Sequence, residues 1–421
     1  MKELINALYP MNACLLGEGY DSRLEYIKHL INLDVIEFPS GTKLETWTVP
    51  EEWIVRDAWV KFNGEKIIDY SKNPLSLIVG SLPVNKTMKL EELKSHLQYS
   101  ETFPKATPYG YKFYDKDWGF CLPQIQYMHL EEGEYEVFVD TEYKSGVMKL
   151  GVHTIPGKSD REILLFAHLD HPFQANDNLS GVACLVDLAR KIKCDHTIKI
   201  ILCPETIGST AYALTQDISK VDFVIAVDIC GNDNTLMLNK TYDREHNLNR
   251  VAHLAIQGTG DGYRKTEFRA VIGSDESVFN DPLIGIPGLM LSRHPYNEYH
   301  TSDDKPDIIN YDMIEQTQKI ILAIIDIWEK DYIPKREFKG LLMRSAYGFQ
   351  TSNKQLNLAY DYFFYAMDGK KSLVELCSDL GMHFQTTYDI LEKLINDKKV
   401  SRVTPVQAPQ RKIARKKHKR V

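Results

Sequence analysis

Residues 163–181, ILLFAHLDHPFQANDNLSG, decide the fold. An unbroken apolar run, Ile163 to Ala167, ends on His168, Asp170 and His171, and Gly181 opens an apolar-rich helix that continues to Ile192. A strand that is apolar at every position, not every second one, has to be covered on both faces. The same order recurs at 198–209, IKIILCPETIGS, where the run ends before Glu205, and at 224–231, VIAVDICG, where it ends on Asp228. The periodicity then predicts a long helix from Met313 to Glu329. Buried-type strands alternating with helices make an α/β fold, with a mainly parallel central sheet flanked by helices. In such sheets ligands collect beyond the carboxyl ends of the strands, where the polar residues of all three stretches lie.

Working outward, residues 1–33 read as mixed helix, and the following segment turns to Trp, Thr, Val and Pro. Trp59 to Phe62 alternates, Asn63-Gly64 is a tight-turn pair and Lys66 to Ile68 returns, which predicts a hairpin. Residues 1–35 and 131–335 are expected to form the α/β unit, with Tyr135 to Asp140 as an alternating strand, and 36–130 a small inserted β-rich domain. That Tyr- and Trp-rich insert either walls a cleft or forms a dimer interface, so a homo-oligomer stays open. Beyond Ile333-Pro334, SLVELCSDLG and HFQTTYDILEKLINDKKV are two helices about a Gly381 turn, and SRVTPV supplies short strands. This is the pattern of a winged helix, expected over 336–410, before a basic tail at 411–421.

Composition narrows the class. Apolar residues at 43% and charged residues at 26% of 421 are the balance of a folded soluble chain. MKELINALYP lacks the form of a secretory signal, and no run reaches the ~18–20 apolar residues of a membrane span. The seven cysteines are scattered with no C-x-x-C pair, which argues against a disulfide framework or zinc ribbon and fits a reducing cytosol. Net charge is −7, but the last eleven residues hold seven Lys or Arg and no acid, leaving the rest at −14. The tail either seeks phosphates or is simply solvated. An acidic body is not the footprint of a strong nucleic-acid binder, and no membrane partner is expected.

Each polar residue at a strand end has a plain alternative. A single histidine there is usually a hydrogen-bonded loop residue; Asp177 could cap a helix; Glu205, between Pro204 and Gly208, could sit on an ordinary turn. Asp228 is harder to dismiss, because an unpaired carboxylate in an apolar run is costly to bury. Their joint occurrence at consecutive strand ends, with Asp177 in ANDNLSG and His300 in NEYHTSDD, makes a His, Asp and Glu set suited to zinc.

These residues resemble a known family. His168-x-Asp170, Asp177-Asn178-x-Ser180-Gly181, Glu205-x-x-Gly208-Ser209, Asp228 and Tyr299-His300-Thr301 look like the motifs of zinc aminopeptidases of the bacterial leucine aminopeptidase type. HPFQANDNLSG, PETIGS, GSDES and EYHTS, with WGFC upstream, resemble more closely a bacterial aminopeptidase-like branch associated with polysaccharide biosynthesis. The resemblance spans roughly residues 1–335. It implies a zinc hydrolase acting on a peptide-like or amino-sugar amide, with His168, Asp177, Asp228 and His300 as ligands, Asp170 orienting His168 and Glu205 as general base. His171 competes with His168 for the first ligand position, and the two stay open. Thr206 stands where dinuclear relatives carry a second Glu, so one tightly held zinc is expected, with any second ion weaker. Asp275 and Glu276 of GSDES either meet a substrate ammonium or are surface acids.

Overall fold

The structure is a computed structural model that describes residues 1–112, 115–260 and 262–403. Eight strands form the large sheet: β1 (Asp34–Pro39), β2 (Val147–Ile155), β3 (Glu162–His168), β4 (Thr197–Cys203), β5 (Val221–Val227), β6 (Leu236–Asn239), β7 (Tyr263–Thr266) and β8 (Gly288–Ser292). Their spatial order is β1-β2-β4-β3-β5-β8-β6-β7. The apolar runs read from the sequence are its centre: β4, β3, β5 and β8 are mutually parallel. The expectation of a mainly parallel sheet needs correcting at the flanks, where β1, β2 and β4 pair antiparallel, as do β8 and β6. The link at 228–235 is too short for a crossover helix, so β6 turns back and joins antiparallel beside β8.

Both faces of the centre are buried. Ile163, Leu165, Ala167, Ile198, Ile200 and Leu202 share a core with helices Ser180–Leu188, Asn247–Thr259 and Tyr311–Lys330. Leu164, Phe166, Ile201 and Cys203 point the other way, beneath Ile207–Thr215 and Glu276–Phe279. Double coverage is why alternation is absent from these strands.

A separate four-stranded antiparallel sheet runs Glu65–Asp69, Glu52–Phe62, Glu134–Lys144, Val84–Lys89, over its own core of Val60, Phe120, Tyr135 and Val137. The predicted hairpin is its tip, with Asn63 and Gly64 both at positive φ (50° and 83°), the geometry that lets two residues reverse a twisted pair. Tyr135 to Asp140 alternates because it belongs here, one face buried, whereas Asp34–Pro39 belongs to the large sheet.

At the C-terminal end, helices Lys354–Ala366, Leu373–Leu380 and Phe384–Asn396 accompany an antiparallel pair, Ile333–Arg336 with Val400–Val403. Ser372 and Glu375 form a capping box, and Gly381 ends its helix at φ 62°. Leu373 and Val374 join the core of Asn247–Thr259. Residues 404–406 of the expected strand pair and the tail at 411–421 lie outside the described residues. Among those described, no helix is long and apolar enough to cross a membrane.

Candidate metal centre

The motif at 175–181 is stitched to the end of β5. Asn178 Nδ2 donates to Val227 O (2.8 Å), while its Oδ1 accepts from Gly181 N (3.0 Å) and Ile229 N (3.2 Å). Ser180 Oγ donates to Asn176 O and accepts from Cys230 N, and Asn176 Oδ1 accepts from Gly231 N. A β-carbon on Gly181 would lie 2.3 Å from Val227 O, so only glycine allows this approach. The result is a rigid turn that carries Asp177 to the end of the sheet. Asp177 is not a helix cap: Leu179 occupies the cap position, with no side-chain cap bond.

All five candidate ligands converge there. His168 Nε2 lies 3.1 Å from Asp177 Oδ1 and 3.3 Å from Asp228 Oδ1. His171 Nδ1 is also 3.1 Å from Asp177 Oδ1, and its Nε2 is 3.5 Å from Glu205 Oε2. His300 Nε2 faces the other oxygen, Asp177 Oδ2, at 2.9 Å. His168, His171, Asp177 and Asp228 are buried, and Glu205 keeps an intermediate exposure. Burial by itself lowers the pKa of His168 and His171, but Asp228 and Glu205 beside the first, and Asp177 beside the second, hold both well above the ordinary value. Asp228 is pushed up by burial, against His168.

Buried acids hold the loops around the centre. Asp170 Oδ1 accepts from Glu205 N (2.9 Å) and is 3.5 Å from His168 Nδ1, so it supports both the base candidate and the histidine. Asp275 Oδ1 accepts from Thr206 N (2.9 Å) and Ser209 Oγ (2.6 Å). Both readings of Asp275 and Glu276 therefore need correcting: each is buried and hydrogen-bonded inside the protein, neither surface acid nor open to a substrate ammonium. Phe173, Thr206, Ile229 and His300, all in loops around the centre, have φ between 52° and 62°, a costly region for bulky residues that surrounding contacts have to enforce.

Three residues were missed in the sequence. Asp304 accepts from Asn176 N (2.7 Å), Asp177 N (3.1 Å) and Tyr296 OH (2.6 Å), holding the Asp177 turn from the far side. Arg23 is fully buried and donates to Leu169 O (2.8 Å) and His171 O (3.0 Å). Tyr109 donates its N–H to His300 O (2.8 Å), and its ring lies 5.4 Å from His171 and 5.2 Å from His300. Asp304 closes the quoted TSDD string and was within reach of a closer reading; a helix arginine and a loop tyrosine carry no such signal.

The donor set fits a divalent cation. His168 Nε2, His171 Nδ1, Asp228 Oδ1 and His300 Nε2 are buried within hydrogen-bonding distance of one another's partners, yet none makes a directed hydrogen bond. Leaving such atoms unsatisfied costs about 1–3 kcal/mol each. Imidazoles and carboxylates together are a donor set that first-row divalent ions accept. Two groups, His168–His171–Asp177 and His168–Glu205–Asp228, bring their donor atoms within 4.8 Å of each other.

Comparison with known proteins agrees with this architecture. Residues 2–331 match the family described as a domain of unknown function, DUF4910. A Clostridium acetobutylicum protein named for polysaccharide biosynthesis and an aminopeptidase-like domain is 31% identical over 398 residues, covering 91% of each chain. A crystal structure from Clostridium acetobutylicum, titled as that of a peptidase, superposes with a TM-score of 0.83 at 29% identity over 96% of both chains. A zinc aminopeptidase from Bacillus subtilis shares the fold at 15% identity, with a TM-score of 0.59 over 77% of this chain and 92% of its own. The chain is thus a member of the DUF4910 family, built on the fold of the zinc aminopeptidases.

Proposed function

We propose that this protein is a zinc-dependent hydrolase that cleaves an amide bond in a peptide-like or amino-sugar substrate. The observation that carries the reading is the meeting of His168 Nε2 and Asp228 Oδ1, both buried and without directed hydrogen bonds, with Asp177 Oδ1 3.1 Å from that nitrogen and the part-exposed carboxylate of Glu205 beside them. His168, Asp177 and Asp228 would hold the ion, with His300 on the second oxygen of Asp177. When bound, zinc supplies Lewis acidity, polarising a carbonyl and bringing the pKa of water to about 7. Glu205 takes a proton from the attacking water and delivers it to the leaving nitrogen. Its backbone N–H, accepted by Asp170, fixes where that carboxylate stands. Tyr109 and Tyr299, packed around His300, wall the substrate side and keep bulk water from the reacting bond.

The name of the Clostridium acetobutylicum relative favours an amino-sugar amide among the substrates. We read the four-stranded sheet as an inserted domain and the C-terminal helices as a winged helix, with the former lending Tyr109 to the site. The helix Phe384–Asn396 presents Asp389 and Glu392 as well as Lys393, so a protein partner suits this unit better than DNA.

The test is Glu205→Gln, assayed with a panel of peptide and N-acyl amino-sugar substrates on zinc-loaded protein. Turnover should fall by roughly 10²-fold or more while zinc content and melting temperature hold. Unchanged turnover on a verified substrate removes Glu205 from this role.

A further inference from the structure

We infer that His171 binds the same ion as His168, through Nδ1, and is not an outer partner of it. This rests on the metallohydrolase reading above and adds a second imidazole to its ligand set. His168 Nε2 and His171 Nδ1 each lie 3.1 Å from one oxygen atom, Asp177 Oδ1. Donors bound to zinc at about 2.0–2.1 Å in a tetrahedron stand ~3.3 Å apart, which these spacings fit, and the three donor atoms all lie within 4.8 Å of one another. Neither nitrogen makes a directed hydrogen bond, so each has a lone pair that a shared ion would engage.

The far side of each ring supports the same assignment. A metal-bound histidine characteristically turns its other nitrogen to a carboxylate. His168 Nδ1 is 3.5 Å from Asp170, and His171 Nε2 is 3.5 Å from Glu205. The two histidines are thus arranged alike, one nitrogen on Asp177 and one on an acid. His171 is also held in place from behind, since Arg23 grips the backbone oxygens of Leu169 and His171 and the Tyr109 ring lies against its imidazole. With Asp228 the set would be two imidazoles and two carboxylates.

The full chain loaded with zinc and dialysed against buffer should be compared with His171→Ala and His171→Asn. X-ray absorption counts the imidazoles on the metal, and competition with a chromophoric chelator gives the affinity. The inference expects each variant to lose one imidazole from the count and to lose affinity beyond the roughly 10–100-fold that removing an outer partner costs. An unchanged count in a variant whose circular dichroism matches the parent overturns it while leaving the hydrolase reading intact. A parent chain that retains no zinc overturns both.

Discussion

Glu276 is buried with its carboxylate accepting from Ser274 N and Ser277 Oγ, and burial pushes its pKa up to about 8. A carboxyl whose folded pKa exceeds its unfolded value binds its proton more tightly in the native state. Its contribution to stability is therefore complete below about pH 4 and is lost as pH rises through about 8. Glu276→Gln keeps the shape and removes the charge. Between about pH 5 and pH 8.5 the parent should lose stability, and the variant should lose less by at least ~1.4 kcal/mol, the equivalent of one pKa unit. Urea midpoints at the two pH values measure this, and equal slopes for both proteins would refute it. Asp275 and Asp304, each pushed up to about 7 by burial, add to the parent's slope in the same direction.

At the scale of elements, the centre depends on how closely helix Ser180–Leu188 starts against β5. Gly181→Ala places a methyl group 2.3 Å from both Val227 O and Asn178 Oδ1, and the backbone oxygen cannot step aside. Overpacking of this kind costs about 1–3 kcal/mol. Because the same turn carries Asp177, zinc affinity should fall together with melting temperature; a variant that melts lower yet binds zinc normally would separate the helix from the site. The segment around Tyr109 makes a complementary case. Thr107 and Ser302 exchange hydrogen bonds, and Tyr109 binds His300 O, so a loop next to the small sheet closes over the large one. Tyr109→Ala removes the ring and leaves these backbone bonds, so turnover should drop several-fold with little change in zinc content. Unaltered kinetic constants would mean that the ring is not part of the substrate wall.

For the molecule as a whole, charge is divided between an acidic body and a basic end. Ending the chain at residue 410 removes seven basic residues and takes the net charge from −7 to −14. Hydrolysis and zinc binding should persist, because every candidate ligand belongs to the large sheet or its loops. Any affinity for DNA should fall and become less salt-sensitive, in proportion to the phosphates no longer contacted. Filter binding at low salt decides the matter: if the full chain retains no DNA, the phosphate-seeking reading of the tail loses its support.

The central strands, their helices and the strand-end positions of His168, Asp170, Glu205 and Asp228 were determined by local sequence, because hydrophobic periodicity and the sense of β-α-β units act over short distances. So was the hairpin, through the two residues that accept positive φ. Tertiary structure alone decided that Tyr135 to Asp140 pairs with Glu52–Phe62, because an alternating strand specifies one buried face but not which sheet supplies it. It decided the antiparallel flanks, which follow from link lengths and the room left beside β8. It also decided which buried acid serves which loop. Asp275, Asp304 and Arg23 are set by hydrogen bonds across 69, 127 and 148 residues of chain, and separations of that kind leave no periodic mark in a sequence.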